Sequence, residues 1–237
     1  AFTAPHGWKL ASLDYSQIEL RLAAHMSGDQ KMIRAFKNGE DIHQATAAEI
    51  NKVPLDKVTK AMRSEAKATN FGILYGQGAH GLSQAAGIPY WQATEFIKKY
   101  FQAYPKIKKM VDASIKEARI KGYALTLFGR KRPLPDLNSQ IPAVRKAAER
   151  MAINTPLQGT AADLIKLAMI EAAKQLAGHE DEARLLLQIH DELIFEIRED
   201  KLDEYLPRLE KAMQPKLKLK VPIVIEATSG RNWGELK

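Results

Sequence analysis

Nothing constrains this chain more than the run Gln188-Ile189-His190-Asp191-Glu192-Leu193-Ile194-Phe195-Glu196, which sets two acids between the apolar segments Leu185 to Leu187 and Leu193 to Ile197. Short apolar segments on either side of a polar break read as the two strands of a hairpin, with Asp191 and Glu192 at its tip. An acidic tip alone is ordinary turn chemistry, because Asp is favoured there and solvates well. A second strand-like run, Lys9-Leu10-Ala11-Ser12-Leu13, also ends on an acid, Asp14. Carboxylates on neighbouring strand ends can hold Mg²⁺ if they meet, since that ion takes one or two protein carboxylates and completes its shell with water and phosphate oxygens.

Charge points to the other half of such a site. The net charge of +8 and pI near 9.5 suggest an anionic partner, nucleic acid first, although many ordinary proteins are this basic. With 237 residues the chain can bury a sizeable core, as one large or two modest domains. It contains no Cys, which excludes disulfides, thiol catalysis and Cys-ligated zinc and fits a reducing compartment. The start, Ala1-Phe2-Thr3-Ala4-Pro5-His6, lacks a basic-then-apolar signal pattern, and no apolar run is long enough to span a bilayer. The expectation is a cytoplasmic protein without a membrane partner.

Beyond Asp14, Ser16 and Glu19 are spaced as a capping box, a sufficient structural reason for Glu19, and open a helix toward Gly28. Asp41 is placed to cap the next helix, with His43 on a first turn that favours anions, although a lone His there is commonly surface filler. Pro54 and Asp56 mark another helix start, running to Tyr75. Within it Arg63, Lys67, Phe71 and Tyr75 recur every four residues, a stripe basic at one end and aromatic at the other. A solvated charged face running into a buried aromatic one would explain it. So would a nucleotide, its triphosphate on Arg63 and Lys67 and its base and sugar on Phe71 and Tyr75. Helices are also expected from Pro89 through Tyr100 and from Pro105 to near Gly122, and a basic-tipped hairpin around Phe128-Gly129-Arg130-Lys131. Residues 143–177 read as helical with Pro156 as a kink or junction. There Arg150, Asn154 and Gln158 form a polar row that could meet the minor-groove acceptors found at every base pair. A helix from Lys201 to Met213, a strand Val221 to Glu226 and a tail with Trp233 complete the chain.

Three of these stretches, Asp14-Tyr15-Ser16-Gln17-Ile18-Glu19-Leu20-Arg21, Arg63 to Gly76, and Gln188 to Glu196, resemble motifs A, B and C of the family A DNA polymerases, the bacterial DNA polymerase I type. The likeness extends in order through Asp41-Ile42-His43, Thr126-Leu127-Phe128-Gly129-Arg130 and Gln158-Gly159-Thr160-Ala161-Ala162-Asp163. It implies an α+β fold: an antiparallel palm sheet carrying the catalytic acids, with an inserted, mainly helical fingers domain. The implied division is palm over 1–28, fingers over 29–122 and palm again over 123–237.

By that resemblance Asp14 and Asp191 hold two Mg²⁺ ions, for which Mn²⁺ is an expected substitute, with the Tyr15 carbonyl as a further ligand and Glu192 in support. Arg63, Lys67 and His43 map to triphosphate contacts, and Lys67 to the general acid for the leaving pyrophosphate. Phe71 and Tyr75 map to the nucleotide and templating-base pocket, Gln17 near the incoming nucleotide, and Glu19 to a steric gate against the 2′ hydroxyl. Arg150, Asn154, Gln158 and His190 map to the primer-template minor groove. Phe71, where some relatives carry Tyr, implies discrimination against 3′-deoxy terminators. The implied partners are primer-template DNA and deoxynucleoside triphosphates, and the implied settings are DNA replication and repair. The thumb is expected to lie outside this chain, in an upstream region or a second chain, and Ser64-Glu65 depart from the more basic or apolar pair of many relatives. A two-metal nuclease would share the acids but needs neither the stripe nor a gate. A non-catalytic nucleic-acid-binding module would leave Asp14, Asp191 and Glu192 beside phosphates they repel.

Overall fold

In the computed structural model, which describes residues 2–236, the first apolar run folds as strand β1 (Trp8–Tyr15). Helices α1 (Ile18–Ser27), α2 (Gln30–Lys37) and α3 (Ile42–Asn51) follow, and then a 3₁₀ turn (Leu55–Lys57) leads into α4 (Lys60–Leu74). Next come α5 (Ala79–Ala86), α6 (Tyr90–Ala103), α7 (Pro105–Lys121) and the small hairpin β2 (Tyr123–Leu125) and β3 (Lys131–Pro133). Helix α8 (Pro142–Asn154) passes through a π-helical turn (Thr155–Gly159) into α9 (Thr160–Leu176). The acidic hairpin is β4 (Ala183–Ile189) with β5 (Glu192–Arg198), and α10 (Leu202–Met213) and β6 (Ile225–Gly230) complete the order. The fold is thus mixed, with many helices and an antiparallel four-stranded sheet in the order β4-β5-β1-β6. Among the described residues no helix is long and apolar enough to cross a membrane.

Two compact units emerge, one of Ala1–Ile18, Ala161–Lys218 and Ile223–Lys237, the other of Glu19–Thr160 and Leu219–Pro222. In the first, β1 and β5 are the central strands. Leu13, Leu193, Phe195 and Ile197 are fully buried, and α10 adds Tyr205, Leu209 and Met213 to the core. Central strands covered on both faces read as continuous apolar runs, which is why β5 lacks alternation. The β1–β5 register pairs Asp14 with Glu192 and Leu13 with Leu193. Strand β4 lies at an edge, where a bulge between Leu185 and Leu187 interrupts its ladder and Leu186 and Leu187 are exposed. β6 forms the other edge and pairs with β1 so that Glu226 faces Asp14.

The second unit is helical. Asp29 caps α2, accepting from the N–H groups of Lys31 and Met32, and Asp41 caps α3 through His43 and Gln44, as its position in sequence predicts. Two boundaries differ from expectation. Helix α4 starts at Lys60 under a Thr59 cap, because Pro54 and Asp56 initiate only the 3₁₀ turn. The last strand begins at Ile225 rather than Val221: Pro222 has no N–H for a ladder, its carbonyl accepts from Arg21 at 2.8 Å, and that of Ile223 accepts from Gln214 at 3.4 Å. Pro156 stands inside the π turn, at the junction its sequence position suggests.

Gly76 ends α4 in the left-handed region, φ +63°, and a Cβ there would lie 3.1 Å from the Arg150 Cα and 3.1 Å from Ile153 Cδ1. Gly76→Ala therefore combines backbone strain with overpacking and should destabilise the helical unit by about 2 kcal/mol. Urea unfolding of parent and variant measures this, with a lower midpoint and unchanged slope expected.

Candidate functional site

Strand pairing builds an acidic cluster within the first unit. Asp14 at the end of β1, Asp191 and Glu192 at the tip of the β4–β5 hairpin, and Glu226 on β6 converge because the antiparallel register leaves no other place for them. The N–H of Tyr15 donates to the Asp191 carbonyl at 3.2 Å and that of Ser16 to the Val224 carbonyl at 2.9 Å, which ties the three chain segments together. The buried Tyr15 phenol donates to the Met213 carbonyl, and burial pushes its pKa upward. Ser12, also buried, donates to the Glu192 carboxylate, so that one oxygen of Glu192 is engaged away from Asp14. His190 occupies the hairpin turn with φ +52° and Gln17 the turn into α1 with φ +54°. Left-handed backbone at a non-glycine residue costs energy and concentrates at functional sites.

The electrostatics of this cluster are unfavourable as they stand. Asp14 is pushed up to about 6 by burial first, then by the charges of Asp191, Glu192 and Glu226, against a backbone hydrogen bond from Tyr15. Its Oδ1 is buried with no hydrogen-bond partner among the described residues. A buried oxygen left without a donor, among acids that repel it, fits a divalent cation. Among the described residues no group of three or more His, Cys, Asp or Glu forms a ready-made cage. Mg²⁺ needs none, because it keeps several waters and takes phosphate oxygens.

The second set of residues stands on α3, α4 and α8. Arg63, Lys67, Phe71 and the capping Tyr75 run along α4, with Phe71 and Tyr75 stacked at 6.1 Å and 20°. Arg63 donates through Nε (2.8 Å) and Nη2 (2.6 Å) to Asp41 Oδ2, while Asp41 Oδ1 caps α3. Burial alone would raise the Asp41 carboxyl, but hydrogen bonds from Gln44, Arg63 and His43 and the Arg63 charge hold it below the usual carboxylate range. His43 is not the surface filler that a lone first-turn His suggests: it is 3% exposed and packs its ring 5.6 Å from Phe71. Glu19 lies in the first turn of α1. Arg150 and Gln158 are exposed, with the π turn rather than continuous α-helix carrying Gln158. Asn154 lies with its amide against the carbonyls of Leu74 and Arg150, 2.6 and 3.3 Å away, and donates to both with its nitrogen turned toward them. It therefore anchors the end of α4 as well as standing in the polar row.

Sequence reasoning missed four contributors: Ser12, Glu226, Asp41 as the partner of Arg63, and Asn70, buried behind His43. Two carried a usable signal. Ser12 stands two residues before Asp14 and so on the same strand face, and Glu226 ends an apolar run on an acid just as Asp14 does.

The Asp14 carboxylate destabilises the metal-free fold once ionised. Its folded pKa lies above the ordinary value of 3.8, so the folded state holds the extra proton, and stability falls as pH rises from near 4 through about 6. Asp14→Asn should raise the melting temperature of the metal-free protein at neutral pH, the gain fading as pH is lowered through that window. Mg²⁺ should raise the melting temperature of the parent and not of the variant. Calorimetry across pH, with and without Mg²⁺, measures both.

Comparisons with known proteins match nearly the whole chain. The model of DNA polymerase family A matches residues 1–235. Thermostable DNA polymerase I of Thermus thermophilus is 49% identical over 233 residues, which is 98% of this chain and 28% of that protein. DNA polymerase I of Bacillus subtilis is 45% identical over 230 residues, 97% of this chain and 26% of that protein. Among solved structures, the POL domain of Pol1 from M. smegmatis in complex with DNA primer-template and dNTP superposes with a TM-score of 0.93 at 39% identity, covering 100% of this chain and 42% of that one. This chain therefore spans little more than a quarter of the length of the relatives it matches.

Proposed function

The chain belongs to DNA polymerase family A, and from that membership we propose that it is the catalytic portion of a template-directed DNA polymerase. It adds deoxynucleotides to a primer 3′ hydroxyl and releases pyrophosphate. The observation that carries this reading is the Asp14 carboxyl, its Oδ1 orphaned among Asp191, Glu192 and Glu226. Such a cluster is a liability in a protein that merely binds nucleic acid and an asset in one that recruits cations to phosphate.

In this reading Asp14, Asp191 and the Tyr15 carbonyl would hold two Mg²⁺ ions, or Mn²⁺ in their place, with Glu192 held alongside by Ser12. When bound, the ions lower the pKa of the primer hydroxyl and neutralise charge on the leaving phosphates. The primer 3′ hydroxyl gives its proton to solvent, the new bond forms between that oxygen and the α-phosphorus, and the bond from that phosphorus to the bridging oxygen of the β-phosphate breaks. Lys67 delivers a proton to the departing pyrophosphate, and Arg63, its guanidinium oriented by Asp41, clamps the triphosphate with His43. Phe71 and Tyr75 stack against base and sugar, Gln17 stands by the incoming nucleotide, and Glu19 excludes the 2′ hydroxyl. Arg150, Asn154, Gln158 and His190 follow the minor groove, where donors check pairing geometry without choosing sequence. The palm comprises 1–28 and 123–237 and the fingers 29–122, and an upstream region or partner chain supplies the grip on duplex.

Single-nucleotide extension of a labelled primer-template with Mg²⁺ tests the proposal, run on this chain alone and with the preceding region of a relative joined to it. The parent should extend, Asp191→Ala should not, and Lys67→Ala should slow the step by about 10²-fold or more, as expected for loss of a general acid. Glu19→Ala should admit ribonucleotides while keeping deoxynucleotide extension. A shortened primer would mean a nuclease, and an unchanged one with the joined region present would sink the catalytic assignment.

A further inference from the structure

Behind the basic stripe of α4 lies a buried polar cluster with no place in the scheme above. Asn70, one turn beyond Lys67 and wholly buried, brings its Nδ2 to 3.0 Å from Nδ1 of His43. The same amide nitrogen lies 3.2 Å from the Thr46 hydroxyl. That hydroxyl reaches Asn70 Oδ1 and the Tyr104 hydroxyl, each at 3.3 Å. Thr46 and Tyr104 are buried as well, so the cluster is closed to solvent on this side. An amide nitrogen has hydrogens to give and no lone pair to accept with, so Nδ1 of His43 must accept here. The ring proton of the neutral imidazole then resides on Nε2, the ring nitrogen that Asn70 does not engage.

The charges facing the ring favour the same state. Burial, the largest effect, and the cations Arg63 and Lys67 lower the His43 pKa to about 4, against the pull of Asp41. A protonated ring would press an Nδ1–H against the Asn70 amide hydrogens.

We infer that Asn70 is a positioning residue: its amide locks His43 in the Nε2–H tautomer, so that His43 offers an incoming triphosphate a neutral N–H donor rather than a third cation. The inference rests on the proposed role of His43 at the triphosphate. Two cations already stand on this stripe, and a neutral donor adds direction to the site without adding repulsion between its own groups. It also keeps the same hydrogen on the same nitrogen across the physiological pH range, where an unconstrained imidazole would change charge.

Long-range proton–nitrogen correlation spectra of the ¹⁵N-histidine-labelled chain read the tautomer directly. The parent should show an unprotonated Nδ1 and a protonated Nε2 for His43, unchanged between about pH 8 and about pH 5.5, a range in which ordinary imidazoles titrate. Asn70→Asp keeps the shape but replaces the donor with an acceptor, and it should protonate both nitrogens toward neutral pH. Asn70→Ala should leave a mixture of tautomers and weaken deoxyadenosine triphosphate binding, measured calorimetrically with Mg²⁺, by about tenfold. If Asn70→Ala does not fold, the isosteric Asp variant carries the test. A parent ring protonated on Nδ1, or a parent mixture, overturns the positioning role. A locked Nε2–H resonance that ignores added deoxyadenosine triphosphate refutes the donor role of His43, and it does so without touching the tautomer assignment.

Discussion

The register of β1 against β5 is the constraint from which the acidic site follows. Antiparallel pairing of Leu13 with Leu193 buries both side chains and, one step on, sets Asp14 opposite Glu192. The side-chain period of a strand is two, so a slip by one residue would exchange the faces of all the β1 side chains and turn Asp14 to the opposite face of the sheet. Hydrophobic burial thus fixes the position of charges that repel one another. Packing beneath Asp14 and Glu192 opposes their repulsion, aided by the Ser12 hydrogen bond and the tie between Tyr15 and Met213.

The helical unit solves the reverse problem, holding two cations one turn apart on α4. Arg63 and Lys67 would repel at helical spacing, and Asp41 relieves that by taking Arg63 through two hydrogen bonds. One carboxylate thereby caps α3, orients a guanidinium and lies beside His43. Exposed ion pairs contribute little to stability, because solvent screens them. This one fixes the direction of the Arg63 guanidinium through two hydrogen bonds.

Much of this was legible before any coordinates. The hairpin tip, the acid ending β1, the Asp41 cap and the stripe from Arg63 to Tyr75 are local patterns, and the structure realises each of them. Motif resemblance supplied the family, and the comparisons bear it out. What sequence could not reveal were pairings between distant positions. Asn70 and His43 are 27 residues apart, and Ser12 and Glu192 are 180 apart, so local spacing names the partner in neither pair. Helix starts were misplaced where Pro54 offered a signal that a 3₁₀ turn used up, and the last strand where Pro222 could not join a ladder.

The edge strand β4 has a bearing on how this protein behaves in concentrated solution. An exposed edge carrying Leu186 and Leu187 is a template onto which a second chain could add its own strand. The bulge between Leu185 and Leu187 breaks the regular spacing of free N–H and C=O groups that such an addition requires, and Arg184, paired to Glu196, sets charge beside it. The irregularity in the hairpin that carries Asp191 thus also serves as a guard against intermolecular sheet growth.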